Sequence, residues 1–225
     1  MPKVTQEYID NKKRSIVEAA MRVCKRKPVE MVTMTDVIEE TGLSQGGIYR
    51  FYKDLDEILR DMILEMRIRY NIMDDTDKII EDSSNDDPAT TIRKMCAMLG
   101  AALEKNLMDL QKLNFDLTVL AINEPDRVDK ILGGIKTESN MAHLMKMTRD
   151  SFVRAQKEGK ISPDTDIARI LNFMSAAGNG ILLNCIIESC YKQGMPGIKS
   201  DPKELYATLA DSMIALMGVK DNEEK

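Results

Sequence analysis

One stretch of the chain, from Thr33 to Asp54, decides the fold and reads TMTDVIEETGLSQGGIYRFYKD. Apolar residues at helical spacing predict one short helix before Gly42 and a second after Ser44. Gly42 is placed to end the first helix, because glycine readily adopts the left-handed conformation that closes a helix. Ser44 can accept hydrogen bonds from the free N–H groups at the start of the second. Two helices joined by a short, glycine-containing turn form the helix-turn-helix of proteins that bind the major groove.

This stretch and its flanks resemble the N-terminal domain of the tetracycline-repressor (TetR/AcrR) family of bacterial transcriptional regulators. The resemblance covers roughly residues 15 to 64, and it rests on Thr33, Val37, Gly42, Leu43, Ser44, Gly46, Ile48, Tyr49 and Tyr52, followed by Asp56, Glu57 and Ile58. Three residues depart from the family pattern: Ile38 replaces the usual Ala, Gly47 the usual Thr and Leu55 the usual Lys. The resemblance implies a dimeric DNA-binding regulator that a small molecule controls.

The rest of the chain has helical periodicity and predicts an all-α fold. A first helix is expected from about Gln6 to Arg26, and Thr33 or Thr35 is expected to cap the second helix. Asp54 is expected to cap a fourth helix that extends to about Glu81. Further helices are expected from Pro88, from about Met108 to Asn123, from Pro125 to Glu158, and near 166–190 and 203–217. We therefore predict a helix-turn-helix DNA-binding domain at 1–56 and a ligand-binding and dimerisation domain at 57–225.

The charge distribution is compatible with a DNA partner, although the net charge is −5. Residues 1–56 contain ten Lys and Arg against nine Asp and Glu, whereas residues 57–225 contain twenty-two against twenty-eight. Salt confines the field of each charge to about 8 to 10 Å, so a local basic surface is sufficient for phosphate contact. Double-stranded DNA is therefore the expected macromolecular partner.

The residues expected to contact DNA are Thr33, Thr35, Ser44, Gln45, Gly46, Gly47, Tyr49, Arg50 and Lys53. Gln45 is suited to read a base edge, because its amide can both donate to and accept from adenine. Arg50 and Lys53 are placed to contact phosphates. The resemblance implies that Tyr49 and Thr33 bind the sugar-phosphate backbone, and that Ile48 and Tyr52 are buried.

The paired glycines Gly46 and Gly47 need an explanation, because each costs about 1 kcal/mol against alanine in a helix. Close approach of the helix backbone to DNA is one explanation. A tight fit of this helix against the preceding one is the other, and the sequence leaves both open.

The resemblance implies a small-molecule effector bound in the C-terminal domain. From helix facing, the candidate contacts are Met66, Tyr70, Met98, Phe115, His143, Phe152 and Asn172. The chain contains 17 methionines, whose flexible side chains suit an adaptable apolar cavity or fill gaps in a core. A site for an unidentified effector is therefore expected among residues 57–190.

The last two long helices are expected to form a homodimer. A wide apolar stripe runs from Ile167 to Ile186 and includes the small residues of 175–180, which let two helices approach closely. In the resembled family, helices at the positions of 166–190 and 203–217 pair across a two-fold axis as a four-helix bundle. The alternative is that both stripes pack inside one chain.

Composition argues against a metal site, a cofactor or a membrane partner. Cys24, Cys96, Cys185 and Cys190 form no C-x-x-C pair, and His143 is the only histidine. We expect these cysteines to be core residues of a cytoplasmic protein. The longest apolar run, near 181–187, is shorter than a bilayer requires.

Two other classes of function remain open, an all-α enzyme and a helical adaptor whose helix-turn-helix contacts protein. An enzyme needs a convergent acid, base or nucleophile, but His143 has no Ser or Cys at a recognised motif spacing. No glycine-rich phosphate loop is present either. We therefore predict a regulator without enzymatic activity.

Overall fold

The computed structural model describes residues 5–83, 86–106, 111–190 and 200–219, and these contain helices and no β-strand. This confirms the predicted all-α class. Two compact units divide the chain. The first unit consists of Met1–Tyr70 and Lys112–Thr137, and the second consists of Asn71–Gln111 and Glu138–Lys225.

The helices of the first unit are α1 (Gln6–Arg26), α2 (Met34–Thr41), α3 (Gln45–Tyr49), α4 (Leu55–Arg69), α7 (Lys112–Asn123) and α8 (Pro125–Gly133), with a short 3-10 helix at Val29–Met31. The helices of the second unit are α5 (Met73–Asp82), α6 (Pro88–Asn106), α9 (Asn140–Lys157), α10 (Ile167–Cys190) and α11 (Pro202–Met217). The start predicted for α7, at Met108, lies outside the described residues.

Local hydrogen bonds set the helix-turn-helix as its sequence predicted. Thr33, rather than Thr35, caps α2: its Oγ1 accepts from the Asp36 N–H at 3.2 Å, and Asp36 Oδ2 accepts from the Thr33 N–H at 2.7 Å. Gly42 ends α2 with φ of 66°, in the left-handed region. Ser44 begins α3, because its Oγ accepts from the Gly47 N–H at 3.2 Å. Reciprocal caps of this kind satisfy N–H groups that a helix start would otherwise leave unpaired.

The core of the first unit brings α1, α2, α3 and α4 together. Its fully buried side chains include Ile16, Ala20, Val37, Ile48, Ile58, Leu59 and Met62. Burying each large aliphatic side chain stabilises the fold by about 1.5–3 kcal/mol. The short α3, with only five residues, owes its place to this packing.

The prediction of one helix from Asp54 to Glu81 was wrong, since α4 ends at Arg69 and α5 begins at Met73. The Oδ1 atom of Asn71 accepts from the Met73 N–H at 2.8 Å. An asparagine that bonds its own backbone two residues on forms a turn that competes with the helix. Asn71 was therefore the sequence signal for this break.

The prediction of one helix from Pro125 to Glu158 was also wrong. Helix α8 ends at Gly133, and Ser139 caps the separate α9 by accepting from the Ala142 N–H at 3.1 Å. Gly133 and Gly134 lower helix propensity where the chain turns. Gly159, with φ of 73°, lies just beyond α9.

The second unit has its own apolar core, to which α6, α9, α10 and α11 contribute. Phe152, Leu171, Tyr206 and Met213 are among its buried members. At Gly100 of α6, an added Cβ would lie 3.1 Å from the Cα of Lys203 in α11. A larger residue there would push α11 away from α6, so this position requires a glycine.

Helix α10 is more apolar than its share of this core requires. By length and composition, the part from Ile167 to Glu188 could cross a membrane, and only about a third of its most apolar stretch is buried in the protein. The expectation that the apolar run is too short to span a bilayer therefore fails for the helix as a whole. Its contacts with α9 and α11 are those of a core helix with one side left open.

His143 joins α5 to α9. Its Nε2 lies 2.6 Å from Oδ1 of Asp77 on α5, and its Nδ1 lies 3.2 Å from Oε2 of Glu138, just before α9. Only the imidazolium ion has an N–H for each carboxylate. Asp77 and then Glu138 raise the pKa of His143 above its ordinary value, since they stabilise the charged form. This bridge therefore stabilises the second unit when His143 is protonated, and its contribution is lost as pH rises through the raised pKa.

The titration of His143 tests this bridge directly, because no other histidine contributes a signal. We expect proton NMR of protein free of a histidine tag to give a pKa above about 6.5. Asp77→Asn should lower that pKa, whereas Asp75→Asn, on the same helix, should leave it unchanged. Equal titration curves for the wild type and Asp77→Asn would contradict the bridge.

Candidate nucleic-acid interface and ligand cavity

The outward side of α3 is a polar surface made by the residues that the sequence singled out. Ile48 is fully buried and Tyr52 is 1% exposed, as predicted. Gln45, Gly46, Tyr49 and Arg50 are exposed in the first unit. We call Ser44–Lys53, without the buried Ile48 and Tyr52, the α3 surface.

Tyr52 fixes the orientation of α3. Its hydroxyl donates to Asp61 Oδ2 of α4 at 2.8 Å, and the Lys13 ammonium of α1 lies 4.8 Å from its ring centroid. Lys13 also lies 3.6 Å from Asp61. Burial and the hydrogen bond to Asp61 raise the pKa of Tyr52 well above its ordinary value, so this hydroxyl stays protonated and remains a donor.

The basic residues at the end of α1 hold α2 in place. Arg22 and Arg26 both bond the Glu40 carboxylate, and Lys27 Nζ lies 2.7 Å from Asp36 Oδ2. Bonds from Lys27 and Thr33 lower the pKa of Asp36 to about 2. These cations are therefore engaged within the protein.

Arg50 differs from those cations. It is exposed at the end of α3, and no described residue bonds or pairs with its guanidinium. Lys53 is also exposed, but its Nζ lies 3.1 Å from Glu57 Oε1. Within the α3 surface, Arg50 is thus the cation without an internal partner in the described part of the chain.

The hydroxyls expected to contact DNA are not equally available. Thr33 donates its hydroxyl proton to Asp36 Oδ2 at 2.7 Å, so this proton is used inside the capping box. The Ser44 hydroxyl accepts from Gly47 and keeps its proton free to donate. Thr35 is exposed on the first turn of α2.

The two paired glycines differ in the space around them. An added Cβ at Gly46 would meet nothing within 4 Å, and one at Gly47 would meet Ser44 Oγ at 3.2 Å and Leu43 Cβ at 3.7 Å. No atom of α2 is among these neighbours. The explanation that α3 fits tightly against α2 therefore fails for Gly46.

The second unit contains an apolar cavity between its helices. The lining residues are Ile80, Thr91, Ile92, Met95, Cys96, Leu99, Leu144, Thr148, Phe152, Met174 and Met213, and the free space among them is about 10 Å³. This is room for about one water molecule, so a small molecule would have to displace these walls to bind.

No charged side chain lines this apolar cavity, and its polar groups are occupied. Thr148 donates its hydroxyl to the Leu144 carbonyl at 2.7 Å. Burial raises the pKa of the Cys96 thiol to about 12, so it remains neutral. The walls can therefore stabilise an apolar group and offer little to a buried charge.

Of the residues predicted to bind a ligand, Phe152 lines the apolar cavity. Met98, His143 and Asn172 are also in the second unit but do not line it. Met66, Tyr70 and Phe115 belong to the first unit, where Met66 is buried and Phe115 is 41% exposed. Ligand contact by any of these residues stays a prediction.

The lining residues that the sequence did not single out are Ile80, Thr91, Ile92, Leu99, Leu144, Thr148 and Met213. Ile80 was assigned to the extension of α4, so the missed turn at Asn71 concealed its role. Helical periodicity identifies an inward face, but it does not distinguish a packed face from a cavity wall.

Cys24, Cys96 and Cys185 are buried, which confirms that they are core residues. The side chain of Cys190 lies outside the description. Among the described residues, no group of three or more His, Cys, Asp or Glu side chains could hold a metal ion.

Comparison with known proteins places this geometry in a family. The sequence model of the family described as "Bacterial regulatory proteins, tetR family" matches residues 16–62, which contain the helix-turn-helix. The HTH-type transcriptional regulator YfiR of Bacillus subtilis is 25% identical over 202 residues, covering 90% of this chain and 93% of YfiR.

Solved structures share the fold over nearly the whole chain. A TetR-family transcriptional regulator from Rhodococcus superposes with a TM-score of 0.64 at 16% identity, covering 92% of this chain and 99% of that one. The fatty acid degradation regulator FadR from Bacillus halodurans gives a TM-score of 0.63 at 14% identity, covering 93% and 97%. The helix-turn-helix region is therefore that of the TetR family of bacterial regulatory proteins, and the described part of the chain shares the helical fold of a solved structure of that family.

Proposed function

We propose that this transcriptional regulator is a cytoplasmic repressor, which binds a palindromic operator as a homodimer and is released by a small-molecule effector. Residues 1–56 would bind DNA, and residues 57–225 would bind the effector and the second protomer. The observation that carries the proposal is the exposed α3 surface, held rigidly by the buried Ile48 and Tyr52.

Different residues of the α3 surface would make different kinds of contact with DNA. Gln45, on the first turn of α3, would read a base edge in the major groove. Arg50, which has no partner among the described residues, would bind phosphate, and Lys53 could exchange its contact with Glu57 for another phosphate. Ser44, Thr35, Thr33 and Tyr49 would position the helix through the sugar-phosphate backbone.

Gly46 and Gly47 would let the α3 backbone approach the DNA. Because Gly46 has open space in the protein, its missing side chain is not explained by internal packing. The N–H groups at a helix start favour phosphate contact, and a side chain at this position would hold the DNA away.

Dimerisation would cover the exposed side of α10. Phe173 is 43% exposed and Leu183 is 37% exposed, and Ala176 and Gly180 are exposed between them. These positions share one face of the helix. Leu216 of α11 is 59% exposed, and thus both of the last helices offer apolar surface to a partner. Small residues beside large ones favour close packing of helices.

The cavity supports a route for ligand control. Its walls include α5, α6 and α9, which are joined through the chain to α4, α7 and α8 of the first unit. A ligand that displaces these walls would therefore pull on three helices of the DNA-binding unit. The two reading helices of a dimer must lie about 34–36 Å apart to fit successive grooves, so a small movement weakens operator binding.

Within the first unit, α8 is bonded to α4 and would carry α4 with it. The Arg60 Nε donates to the Ile131 carbonyl at 3.1 Å, and Arg127 lies 2.8 Å from Asp56. Asp56 lies on the first turn of α4, beside Glu57 and Ile58. The α3 surface ends only a few residues earlier, so a movement of α4 would reach it. Each ~1.4 kcal/mol of difference in ligand affinity between the two states changes operator affinity about tenfold.

Operator binding and its residue dependence test the proposal by gel shift on the DNA upstream of the protein's own gene. We expect Arg50→Ala to weaken binding to all sequences and to reduce the salt slope by about 2 per dimer, because two phosphate contacts are lost. Gln45→Ala should relax preference at one base pair of each half-site. Arg149→Ala removes an exposed arginine of the second unit and should change neither. If the wild-type protein shows no salt-dependent binding to this DNA, the repressor proposal is wrong.

Gly46→Ala separates backbone approach from packing. We expect the free energy of unfolding to stay equal or to rise by up to about 1 kcal/mol, because alanine favours the helix and meets no neighbour. Operator affinity should fall at least about tenfold, as the methyl group would occupy the space for DNA. Gly133→Ala, in α8, also meets no neighbour and should leave operator affinity intact. Full affinity in Gly46→Ala would rule out close backbone approach.

Phe173→Glu tests the dimer. A buried charge at the centre of an apolar interface is costly, so we expect this variant to sediment as a monomer at micromolar concentration with unchanged helix content. Ile122→Glu places the same charge at another exposed apolar position, which is 75% exposed on α7, and should remain dimeric. A monomeric wild type, or a Phe173→Glu dimer, would contradict the interface.

A further inference from the structure

The apolar cavity shares part of its wall with a polar cleft at the surface of the second unit. Thr91 and Phe152 line both spaces, and the cleft is otherwise lined by Ser83, Asp86, Pro88, Ser151, Arg154, Ala155, Glu158 and Lys160. The two side chains are buried, so they separate an uncharged interior from a charged surface. A ligand that passes between them would have one end in each environment.

We infer that the effector is an anionic amphiphile with a single apolar chain, which binds its chain in the apolar cavity and its anionic head in the cleft. This inference rests on the proposed function, because it specifies the ligand of the same regulator.

The cavity selects the chain. Its walls are uncharged, and the Thr148 hydroxyl is used within α9. Met95, Met174 and Met213 fill much of the space, being at most 8% exposed. Unbranched methionine side chains can move to make room for a flexible chain. Each methylene that replaces water contact by cavity contact raises affinity about fourfold.

The cleft selects the sign of the head group. Asp86 is paired with Lys94 at 2.7 Å, and Glu158 is paired with Lys160 at 3.0 Å. The Arg154 guanidinium is exposed, and no described residue bonds or pairs with it. Arg154 follows Phe152 by two positions on α9. The lining itself contains two acidic and two basic residues, but Lys94, from outside it, neutralises Asp86. One positive charge, that of Arg154, is therefore left without a partner among the described residues, in the same cleft wall as Phe152.

Isothermal titration of the full-length protein, below the critical micelle concentrations, tests the inference with three probes. Dodecanoate should bind once per chain. Butyrate should bind at least about 100-fold more weakly, because it lacks eight methylenes. Dodecyltrimethylammonium, which has the same chain and a cationic head, should bind at least about fivefold more weakly than dodecanoate.

Variants locate the two ends of the ligand. Arg154→Gln should weaken dodecanoate about fivefold and leave dodecyltrimethylammonium no weaker, since an exposed charge contributes modestly. Arg149→Gln, on the same helix but paired with Asp150 outside the cleft, should bind both as the wild type does. The chain has no tryptophan, so Leu99→Trp introduces a single fluorophore into the cavity wall. Dodecanoate should shift its emission, but not that of Ile122→Trp, which is 75% exposed on α7 of the first unit.

The outcomes separate this inference from the function on which it rests. Three results would overturn the inference that the effector is an anionic amphiphile: equal affinity for the anionic and cationic probes, wild-type dodecanoate affinity in Arg154→Gln, or no shift of the Leu99→Trp emission. Operator binding by the free protein would still support the repressor. Binding of dodecanoate as expected, without any operator binding, would uphold the ligand class and overturn the repressor.

Discussion

The burial of Ile48 and Tyr52 is the constraint on which the α3 surface depends. A five-residue helix has too few internal hydrogen bonds to be stable alone, so α3 exists because its inner side is packed. The Tyr52–Asp61 hydrogen bond, with Lys13 beside it, fixes the helix against α1 and α4. Once the inner side is fixed, Gln45, Tyr49 and Arg50 can only face outward. For the proposed DNA binding a rigid position would matter, because the contacts that fix a helix on DNA require it to have a defined orientation.

The basic residues of the helix-turn-helix region also fall into two groups, those paired within the protein and those that face outward. The basic residues at the end of α1 neutralise Glu40 and Asp36 of α2, whose carboxylates have a lowered pKa because of these bonds. These ion pairs stabilise the packing of α2 against the end of α1. Arg50, by contrast, is left without an internal partner in the described part of the chain. An acidic protein can therefore present a local positive charge where a phosphate would lie.

The first unit is discontinuous along the chain, and this bears on the regulation proposed above. Helices α7 and α8 return to it after α5 and α6 have entered the second unit. The Lys112 ammonium donates to the Cys24 carbonyl at 2.8 Å, and Arg60 bonds the end of α8. The chain thus passes between the units at three places, and each passage ends in a helix that lines the apolar cavity. Under the proposed function, a change of shape in the cavity walls would reach the first unit along these three connections.

The sequence by itself determined the all-α class, the first four helix starts and the helix-turn-helix, because caps and turns depend on residues within a few positions of one another. Thr33, Gly42, Ser44 and Asp54 act through such local bonds. The breaks after α4 and after α8 were missed, although Asn71 and the Gly133–Gly134 pair signalled them, since apolar periodicity continued across both. Only the tertiary structure decided which inward faces enclose a cavity, which cations are already paired and which side of α10 stays open. Those features depend on contacts between residues far apart in the chain, and helical periodicity carries no information about the partner of each face.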